Sequence, residues 1–372
     1  MSGTVTALRN KSVKLRLHVQ TRILLFITDL QIGGTPTVVR ELAIRLASDP
    51  GFHVHVACLD SSGPVMDRLR DRQISVTSLN ACCSLDLRVV FRLIRLIHRE
   101  NIDTVFSFLI HANAVAGVAS LLVRNVRFLQ SIQTTQHKPR WHWLVQHAVQ
   151  HAAEKIVVPS KSVADVASRW AGVDGGKIVV IPNAVEIENL TGKTRVGNGK
   201  RIGFIGRLDP IKRIEDLVTA LSLLPDDYTL DIFGEGRQRI HIESMIARLC
   251  LGARAKMHGA ISGPAAALQK IDVLVLPSDA EGFGLVLIEA MAAGVPVIGA
   301  DVSGIRDVIE DGVSGLLVPP RNPNAIANAI QKIHNDESLT QKLIQGGIER
   351  VRQSYDWSVW IDSYKKLLRG PG

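Results

Sequence analysis

Two carboxylates lie eight positions apart in one glycine-rich stretch, residues 277–294, which reads PSDAEGFGLVLIEAMAAG. Glu281 falls in the turn after a predicted strand, and Glu289 falls about one turn into a helix that opens near Leu285. Carboxylates so placed can accept hydrogen bonds from pairs of sugar hydroxyls. Burying a glutamate without a partner costs free energy, so a glutamate on such an apolar helix is expected to have a binding partner. The alternative is a helix-start carboxylate at Glu281 and a solvated position at Glu289. The N–H groups of the turn can hold further sugar or phosphate oxygens, and they belong to Gly282, Phe283, Gly284 and Leu285.

Two further segments carry groups that suit phosphate. Gly33 and Gly34 follow the first predicted strand and precede a helix, so the backbone can approach a ligand closely and the helix N-terminus offers N–H groups to an anion. Arg207 and Lys212, in GRLDPIK, flank a turn after the first strand of the second half, where two cations suit a diphosphate. Each segment also has a simpler interpretation, because paired glycines often serve steric needs and cations at a turn are often only solvated.

Alternating strands and helices position these groups. In the first half, helical patterns at 37–47 and 86–98 lie among predicted strands at 22–27, 53–58, 75–79, 103–108, 126–132, 155–158 and 177–181. The second half repeats the pattern, with strands at 201–205, 229–233, 255–258, 272–276, 295–299 and 315–318. Such alternation predicts an α/β chain with parallel, doubly wound sheets. In these sheets ligands bind outside the carboxyl ends of the strands, where the three motifs lie.

The length of 372 residues predicts two domains, because single cores stop growing at about 250–300 residues. We expect a disordered leader at 1–20, a first domain at 21–185, a polar linker at 186–200 and a second domain at 201–355. The last segment, 356–372, is expected to form a helix that packs back on the first domain.

Composition excludes several classes of protein. Hydrophobic residues make up 46% and charged residues 21%, which argues against a disordered or a fibrous chain. The longest apolar runs are strand-sized, against the ~18 apolar residues that a membrane span needs. The four cysteines have neither a disulfide framework nor a zinc-ligand spacing, which favours a reduced, cytoplasmic compartment.

The net charge of +9 is concentrated in the first half of the chain. Residues 1–190 hold 22 Lys+Arg and 14 Asp+Glu, whereas residues 191–372 hold 22 and 21. This asymmetry suggests an anionic partner for the first half. Nucleic acid is not expected, because the sequence lacks a helix-turn-helix, zinc-finger or aromatic-platform signature.

The motifs together resemble those of one family. The string EGFGLVLIEAMAAGVPVI is similar to the Glu-x7-Glu signature of family-4 retaining glycosyltransferases, of the type used in bacterial polysaccharide or lipopolysaccharide assembly. GRLDPIK resembles that family's phosphate-binding segment, GGTPTVVREL its N-terminal glycine-rich turn and helix, and IPNAV its inter-domain segment. The four motifs occur in matching order, and the resemblance covers about residues 22–366.

The resemblance implies a GT-B fold, in which two Rossmann-like domains face each other across a cleft. The C-terminal half would bind the nucleotide sugar and the N-terminal half the acceptor. Glu289 would bind the ribose hydroxyls, while Glu281 and the turn after it would hold the donor sugar. Arg207 and Lys212 would neutralise the diphosphate, and Gly34 would donate a backbone N–H to it.

A histidine also fits the resemblance. His111 lies in a His-Ala-Asn segment just past the predicted strand 103–108, and the family's similar segment faces the donor sugar. The alternative is that His111 and Asn113 cap the next helix. The departures are Arg213 and Ala184, where the family often has glycine, and they place only the local loop shape in doubt.

The implied reaction moves a hexose or N-acetylhexosamine from a nucleoside-diphosphate sugar, with UDP as the expected nucleotide, to a glycan or lipid-linked saccharide. The nucleotide sugar is a co-substrate, and no cofactor is expected. No metal is expected either, because the sequence has no Asp-x-Asp motif. A sugar-nucleotide epimerase of the same architecture is the alternative.

Two features of the basic half suggest a membrane surface. One face of the predicted helix 86–99 carries Arg88, Arg92, Arg95 and Arg99, which is either a solvated stripe or a site for anionic lipid headgroups. The segment 137–144, HKPRWHWL, mixes cations with two tryptophans, which suit a membrane interface, an acceptor site or the core. We therefore expect a peripheral protein at the cytoplasmic face of the membrane, with a lipid-linked acceptor.

Overall fold

A computed structural model describes residues 20–60, 63–83, 86–188, 190 and 199–370. The expected leader at 1–20 lies outside the described residues except for Gln20, as do positions 189 and 191–198 of the expected linker. The described chain forms two parallel sheets with helices packed on their faces, so the predicted doubly wound architecture is confirmed.

The first sheet, in the described residues, has seven parallel strands in the order β3-β2-β1-β4-β5-β6-β7. Its strands are β1 (Thr21–Ile27), β2 (Phe52–Cys58), β3 (Ser75–Ser78), β4 (Thr104–Phe108), β5 (Arg127–Ser131), β6 (Lys155–Val158) and β7 (Ile178–Val180). The central strands are almost continuously buried because helices cover both faces of the sheet.

The second sheet has six described strands in the order β10-β9-β8-β11-β12-β13. They are β8 (Arg201–Ile205), β9 (Thr229–Phe233), β10 (Ala255–Gly259), β11 (Val273–Leu276), β12 (Val297–Ala300) and β13 (Leu316–Val318). Every strand predicted from the sequence is present, and the ends differ by no more than two residues, because short runs of β-branched and apolar residues bounded by turn residues favour strands.

Helices α1 to α11 cross from the carboxyl end of one strand to the start of the next, whereas α12 to α14 follow the last strand. They are α1 (Gly34–Ala47), α2 (Pro64–Asp71), α3 (Arg88–Arg99), α4 (Ile110–Ser120), α5 (Trp141–Val149), α6 (Lys161–Ala171), α7 (Ile214–Ser222), α8 (Arg239–Arg248), α9 (Ala265–Leu268), α10 (Leu285–Ala292), α11 (Ser303–Val308), α12 (Pro323–Asn335), α13 (Glu337–Ser354) and α14 (Trp357–Arg369). Helix α1 begins three residues before the predicted start at 37. Pro36 is tolerated there because an N–H in the first helical turn has no partner within the helix.

The last helix packs on the first sheet. Trp357, Tyr364 and Leu368 of α14 are buried in the same apolar cluster as Ile23 of β1. Arg127 at the start of β5 donates a hydrogen bond from Nη1 to the carbonyl oxygen of Leu368 at 2.9 Å. The chain therefore crosses from the second domain back to the first, and α14 ties its far end to the first sheet.

Candidate functional site

Two helices from different domains bring their N-termini to one place. Helix α1 begins at Gly34 and α10 at Leu285, and a Cβ atom at Gly34 would lie 4.0 Å from the Cβ atom of Leu285. Gly284, which precedes α10, has a φ of 81°, a left-handed conformation that favours glycine. Gly33 has a φ of 177°, an extended conformation open to any residue. The N–H groups of both first turns lie at this junction, which makes it suited to an anion.

Lys212 and Glu281 form an ion pair beside this junction. The Nζ atom of Lys212 contacts Oε1 of Glu281, and Ser278 Oγ donates a hydrogen bond to the same oxygen at 2.9 Å. Only 20% of the lysine side chain and 12% of the glutamate side chain are exposed. The N–H of Asp279 donates to the carbonyl oxygen of Ile211 at 2.8 Å, which ties the loop before α10 to the segment that carries Lys212. The fold thus joins two predicted site residues that are 69 positions apart.

The second predicted cation does not join this pair. Arg207 is 68% exposed, and its guanidinium pairs with Asp209. Arg213, where the family often has glycine, keeps a left-handed φ of 52° and is held by an ion pair to Asp216 at 2.8 Å. The turn after β8 therefore keeps a backbone shape that normally favours glycine. Of the two cations, only Lys212 contacts the loop that carries the predicted sugar-binding carboxylate.

Glu289 is a largely buried carboxyl group on α10, close to charged side chains of α1. Burial raises the pKa of Glu289 to about 8, while Arg40 opposes the rise and Glu41 adds to it. Arg40 is engaged elsewhere, because its Nη2 lies 2.6 Å from Oε1 of Glu41. Among the described residues, none donates a hydrogen bond to the side chain of Glu289. A buried carboxyl group without a protein partner is suited to accept hydroxyl donors from a ligand.

His111 lies in the first turn of α4, directly beyond the carboxyl end of β4. Neither His111 nor Asn113 caps the helix, because the N-cap residue is Leu109 and no side-chain cap is formed. Leu109 has a φ of 71°, a strained value for a residue with a side chain. The centroid of the His111 ring lies 5.8 Å from that of Trp141 and 6.0 Å from that of His142, both at the start of α5.

Asn113 is buried and fixes the start of α4. Its Oδ1 accepts a hydrogen bond from Ser107 Oγ at 2.8 Å. Its Nδ2 donates to the carbonyl oxygen of Ser131 and to Oε1 of Gln146, both at 3.1 Å. These bonds join α4 to β4, β5 and α5, so Asn113 holds the first turn of α4 at the edge of the sheet.

The peptide after Glu281 is clamped from two sides. Thr135 Oγ1 donates to the carbonyl oxygen of Glu281 at 2.6 Å, and a Cβ atom at Gly282 would lie 2.1 Å from the carbonyl oxygen of Gln133. On the other side, a Cβ atom at Gly304 would lie 2.0 Å from the carbonyl oxygen of Glu281. Close backbone approach requires glycine at both positions. Gln133 and Thr135 follow β5 in the first domain and carry no motif of their own, so the sequence did not single them out.

A second glycine pair also shapes the site. Gly234 and Gly236 follow β9, and Cβ atoms there would lie 1.8 Å from the carbonyl oxygen of Gly206 and 2.5 Å from that of Leu208. This loop therefore packs directly on the turn that leads to Lys212. Its Gly-Glu-Gly sequence after a predicted strand was a signal that could have identified it.

The arginine stripe on α3 is largely engaged with its own neighbourhood. Arg88 Nε lies 2.8 Å from Asp86, and Arg92 donates to a carbonyl oxygen of the loop before the helix at 2.7 Å. Beside them, Leu87 is 74% exposed and Phe91 is 67% exposed. In the part of the chain that the structure describes, no helix has both the length and the apolar character to cross a bilayer. The surface of α3 thus combines exposed apolar side chains with exposed cations, of which Arg88 is paired.

Two family models match the chain one after the other. The model described as Glycosyltransferase Family 4 matches residues 32–189. The model described as Glycosyl transferases group 1 matches residues 187–350. The first range contains the start of α1, and the second contains Lys212, Glu281 and Glu289.

Curated relatives are similar over part of their length. The phosphatidyl-myo-inositol mannosyltransferase of Mycobacterium leprae is 36% identical over 208 residues, which cover 53% of this chain and 55% of that protein. The D-inositol 3-phosphate glycosyltransferase of Geodermatophilus obscurus is 28% identical over 253 residues, which cover 61% and 54%. The chain spans about half the length of the curated relatives it matches.

Solved structures share the fold over nearly the whole chain. Anabaena HepE in complex with UDP and glucose is 21% identical and has a TM-score of 0.86, with 95% of this chain and 100% of that chain covered. At this level of identity the likeness shows a common arrangement of two domains.

Proposed function

The chain belongs to family 4 of the glycosyltransferases and has the GT-B fold, and from this premise we propose that it is a retaining hexosyltransferase. The donor is a nucleoside-diphosphate hexose or N-acetylhexosamine, and the acceptor is a glycan or a lipid-linked saccharide. UDP is the proposed nucleotide, which agrees with the UDP bound to HepE. The observation that carries the proposal is the largely buried Lys212–Glu281 pair beside the N-termini of α1 and α10.

In the proposed donor complex, each group meets a different part of the nucleotide sugar. Glu289, which has no protein partner among the described residues, accepts hydrogen bonds from the ribose hydroxyls. Glu281 and the N–H groups after it hold the donor sugar. Lys212 and the N–H groups at the start of α1 and α10 lie against the diphosphate. Arg207 contributes long-range charge, because its guanidinium is exposed and already paired.

Catalysis follows from charge development in the transition state. As the bond between the anomeric carbon and the diphosphate oxygen breaks, negative charge grows on the diphosphate and positive charge grows on the sugar. Lys212 and the fixed N–H groups stabilise the negative charge without reorganising. The acceptor oxygen bonds to the anomeric carbon on the face that the diphosphate leaves, and its proton passes to the departing phosphate oxygen. Both glutamates bind hydroxyls, so the two-carboxylate scheme of retaining glycosidases is not used. The proposed reaction needs no metal ion.

The acceptor side is formed by the first domain. His111, at the carboxyl end of β4, is proposed to face the donor sugar and to hydrogen-bond one of its hydroxyls. The names of the inositol-lipid and inositol-phosphate relatives support a polar acceptor that can be lipid-linked.

We further propose that the enzyme works in the cytoplasm, at the inner face of an anionic membrane. Leu87 directly before α3, Phe91 on α3 and Leu144 on α5 are exposed apolar side chains, with exposed fractions of 74%, 67% and 70%. Helices α3 and α5 both begin at the carboxyl edge of the first sheet, beside the proposed acceptor side. The net positive charge of this half complements anionic headgroups.

The proposal is tested by measuring thermal stabilisation with a panel of nucleotide sugars, because a ligand that binds only the folded state raises its stability. A UDP-sugar should raise the unfolding temperature, and the anomeric configuration of the transferred sugar should be that of the donor. A chain that no nucleotide sugar stabilises contradicts the proposal. Incubation with donor alone distinguishes the glycosyltransferase from the alternative, a sugar-nucleotide epimerase, because an epimerase would interconvert the sugar nucleotide without an acceptor. A glycosyl group trapped on Glu281, or activity abolished by a chelator and restored by Mn²⁺, would refute the mechanism.

A further inference from the structure

The two tryptophans of the segment 137–144 have different environments. Trp143 is only 4% exposed, and its Nε1 donates to the carbonyl oxygen of Gln136 at 3.0 Å, so it is a core residue. Trp141 is 47% exposed, and no acceptor among the described residues holds its indole N–H. A large apolar ring is thus left open to solvent at the start of α5.

The position of Trp141 is specific. Its ring lies 5.8 Å from that of His111 and 4.0 Å from that of His142. Asn113 joins α4 to α5 through Gln146, so the spacing between His111 and Trp141 is fixed by buried hydrogen bonds. The exposed indole therefore stands next to the residue that we place against the donor sugar.

The chemistry of this cluster fits a sugar ring better than an acyl chain. An indole face carries partial negative charge and attracts the polarised C–H groups on the apolar face of a pyranose. Imidazole nitrogens at its edge can donate to and accept from the ring hydroxyls. Burial and the neighbouring His111 lower the pKa of His142, so its ring is neutral near pH 7 and offers both functions. Leu144, one turn further along α5, is an exposed aliphatic side chain that suits lipid instead.

We propose that Trp141 is a stacking platform for a pyranose ring of the acceptor, with His142 as a hydrogen-bonding partner of its hydroxyls. The inference rests on the proposed glycosyl transfer and adds a subsite to it. It assigns the indole ring to the acceptor saccharide, not to the nucleotide and not to the membrane.

The test uses saturation-transfer NMR on the full chain with UDP present and with the methyl glycosides of glucose, galactose, mannose and N-acetylglucosamine as probes. Saturation should reach the ring protons of at least one glycoside in the wild-type protein. Trp141→Leu should weaken its binding at least tenfold, and Trp141→Phe should retain most of it. Trp170→Leu is the matched control, because Trp170, near the end of α6, is a 37% exposed tryptophan whose ring meets that of His137 edge-on, and the variant should bind as the wild type does.

Thermal stabilisation by nucleotide sugars is measured on the same variants to separate this inference from the proposed function. Unchanged stabilisation of Trp141→Leu together with lost glycoside binding supports the platform. Equal glycoside binding by Trp141→Leu and wild type, or no binding by the wild type, overturns the platform even if nucleotide sugars still stabilise the chain. If no nucleotide sugar stabilises the wild type, the proposed function itself is refuted.

Discussion

Lys212 and Glu281 are bound to each other, although the sequence suggested separate roles for them in holding a diphosphate and a sugar. The pair holds both side chains at the junction of the two domains, where Ser278 also binds the carboxylate. A bound diphosphate would attract the ammonium group of Lys212 toward itself. Donor binding would then leave Glu281 oxygens available for sugar hydroxyls.

Substitution of Lys212 by Ala should reduce kcat on the order of 10²-fold or more, because a fixed charge facing the developing negative charge is typically worth ~2.7–4 kcal/mol. Arg207→Ala is the matched control. It should have a much smaller effect, since Arg207 is exposed and its charge is screened by water. Steady-state kinetics with saturating donor measure both variants. Equal losses would contradict the placement of Lys212 alone against the diphosphate.

Glu289→Gln should make folding stability less dependent on pH. The pKa of Glu289 is raised to about 8 in the folded protein, above its ordinary value of 4.5, so the folded state holds a proton that the unfolded state has lost. The contribution of Glu289 to wild-type stability therefore falls as pH rises from about 4.5 to 8 and levels off above that. Denaturant unfolding at pH 5 and 8.5 measures the effect. Relative to wild type, the free energy of unfolding of Glu289→Gln should be higher at pH 8.5 than at pH 5, by on the order of a few kcal/mol. If the two proteins differed in free energy of unfolding by the same amount at both pH values, a buried carboxyl group with a raised pKa would be contradicted.

Binding of UDP-glucose should release a proton near pH 7. Ribose hydroxyls donate to the charged form of Glu289, so binding lowers its pKa below the free value of about 8. Affinity should then rise with pH up to about 8, by at most about tenfold per unit. Calorimetry in buffers of different ionisation enthalpy counts the proton, and Glu289→Gln should abolish its release. An identical pH profile in the variant would place the ribose elsewhere.

The contact between Thr135 and Glu281 should matter for turnover more than for stability. Thr135→Val keeps the shape of the side chain and removes the 2.6 Å hydrogen bond to the Glu281 carbonyl oxygen. A lost hydrogen bond of ~1 kcal/mol predicts a decrease in kcat of about fivefold. Gly282→Ala should be far worse, because its Cβ would overlap the carbonyl oxygen of Gln133. Thr134→Val, at the neighbouring position, should leave kcat unchanged. An equal decrease in kcat in that variant would contradict a specific role for the Thr135–Glu281 hydrogen bond.

Membrane binding should depend on Phe91 more than on Arg88. Phe91 is 67% exposed, and burying such a ring in a bilayer is worth ~1.5–3 kcal/mol, whereas Arg88 is already paired with Asp86. Phe91→Ser should therefore weaken binding to phosphatidylglycerol vesicles about tenfold or more, with a smaller effect for Arg88→Ala. Sedimentation with vesicles measures both. Full recovery of the wild type in the supernatant at low salt would exclude membrane binding by this surface.

The sequence by itself determined the two sheets and the edge at which the site lies. Apolar runs separated by turns are local patterns, and a strand or a helix needs little more than its own residues to form. Parallel connections then place each strand's carboxyl end at one edge. Gly34, Lys212, Glu281 and Glu289 follow such ends, so their general location could be predicted.

Tertiary structure alone decided which of these residues meet. Lys212 finds Glu281 across 69 positions, and Thr135 reaches the same loop across 146 positions from the other domain. Neighbouring helices bury Trp143 and leave Trp141 at the surface. Burial by the surrounding elements likewise raises the pKa of Glu289. Hydrogen bonding, ion pairing and desolvation act over a few ångströms in space, and sequence spacing does not fix distances between residues of separate elements.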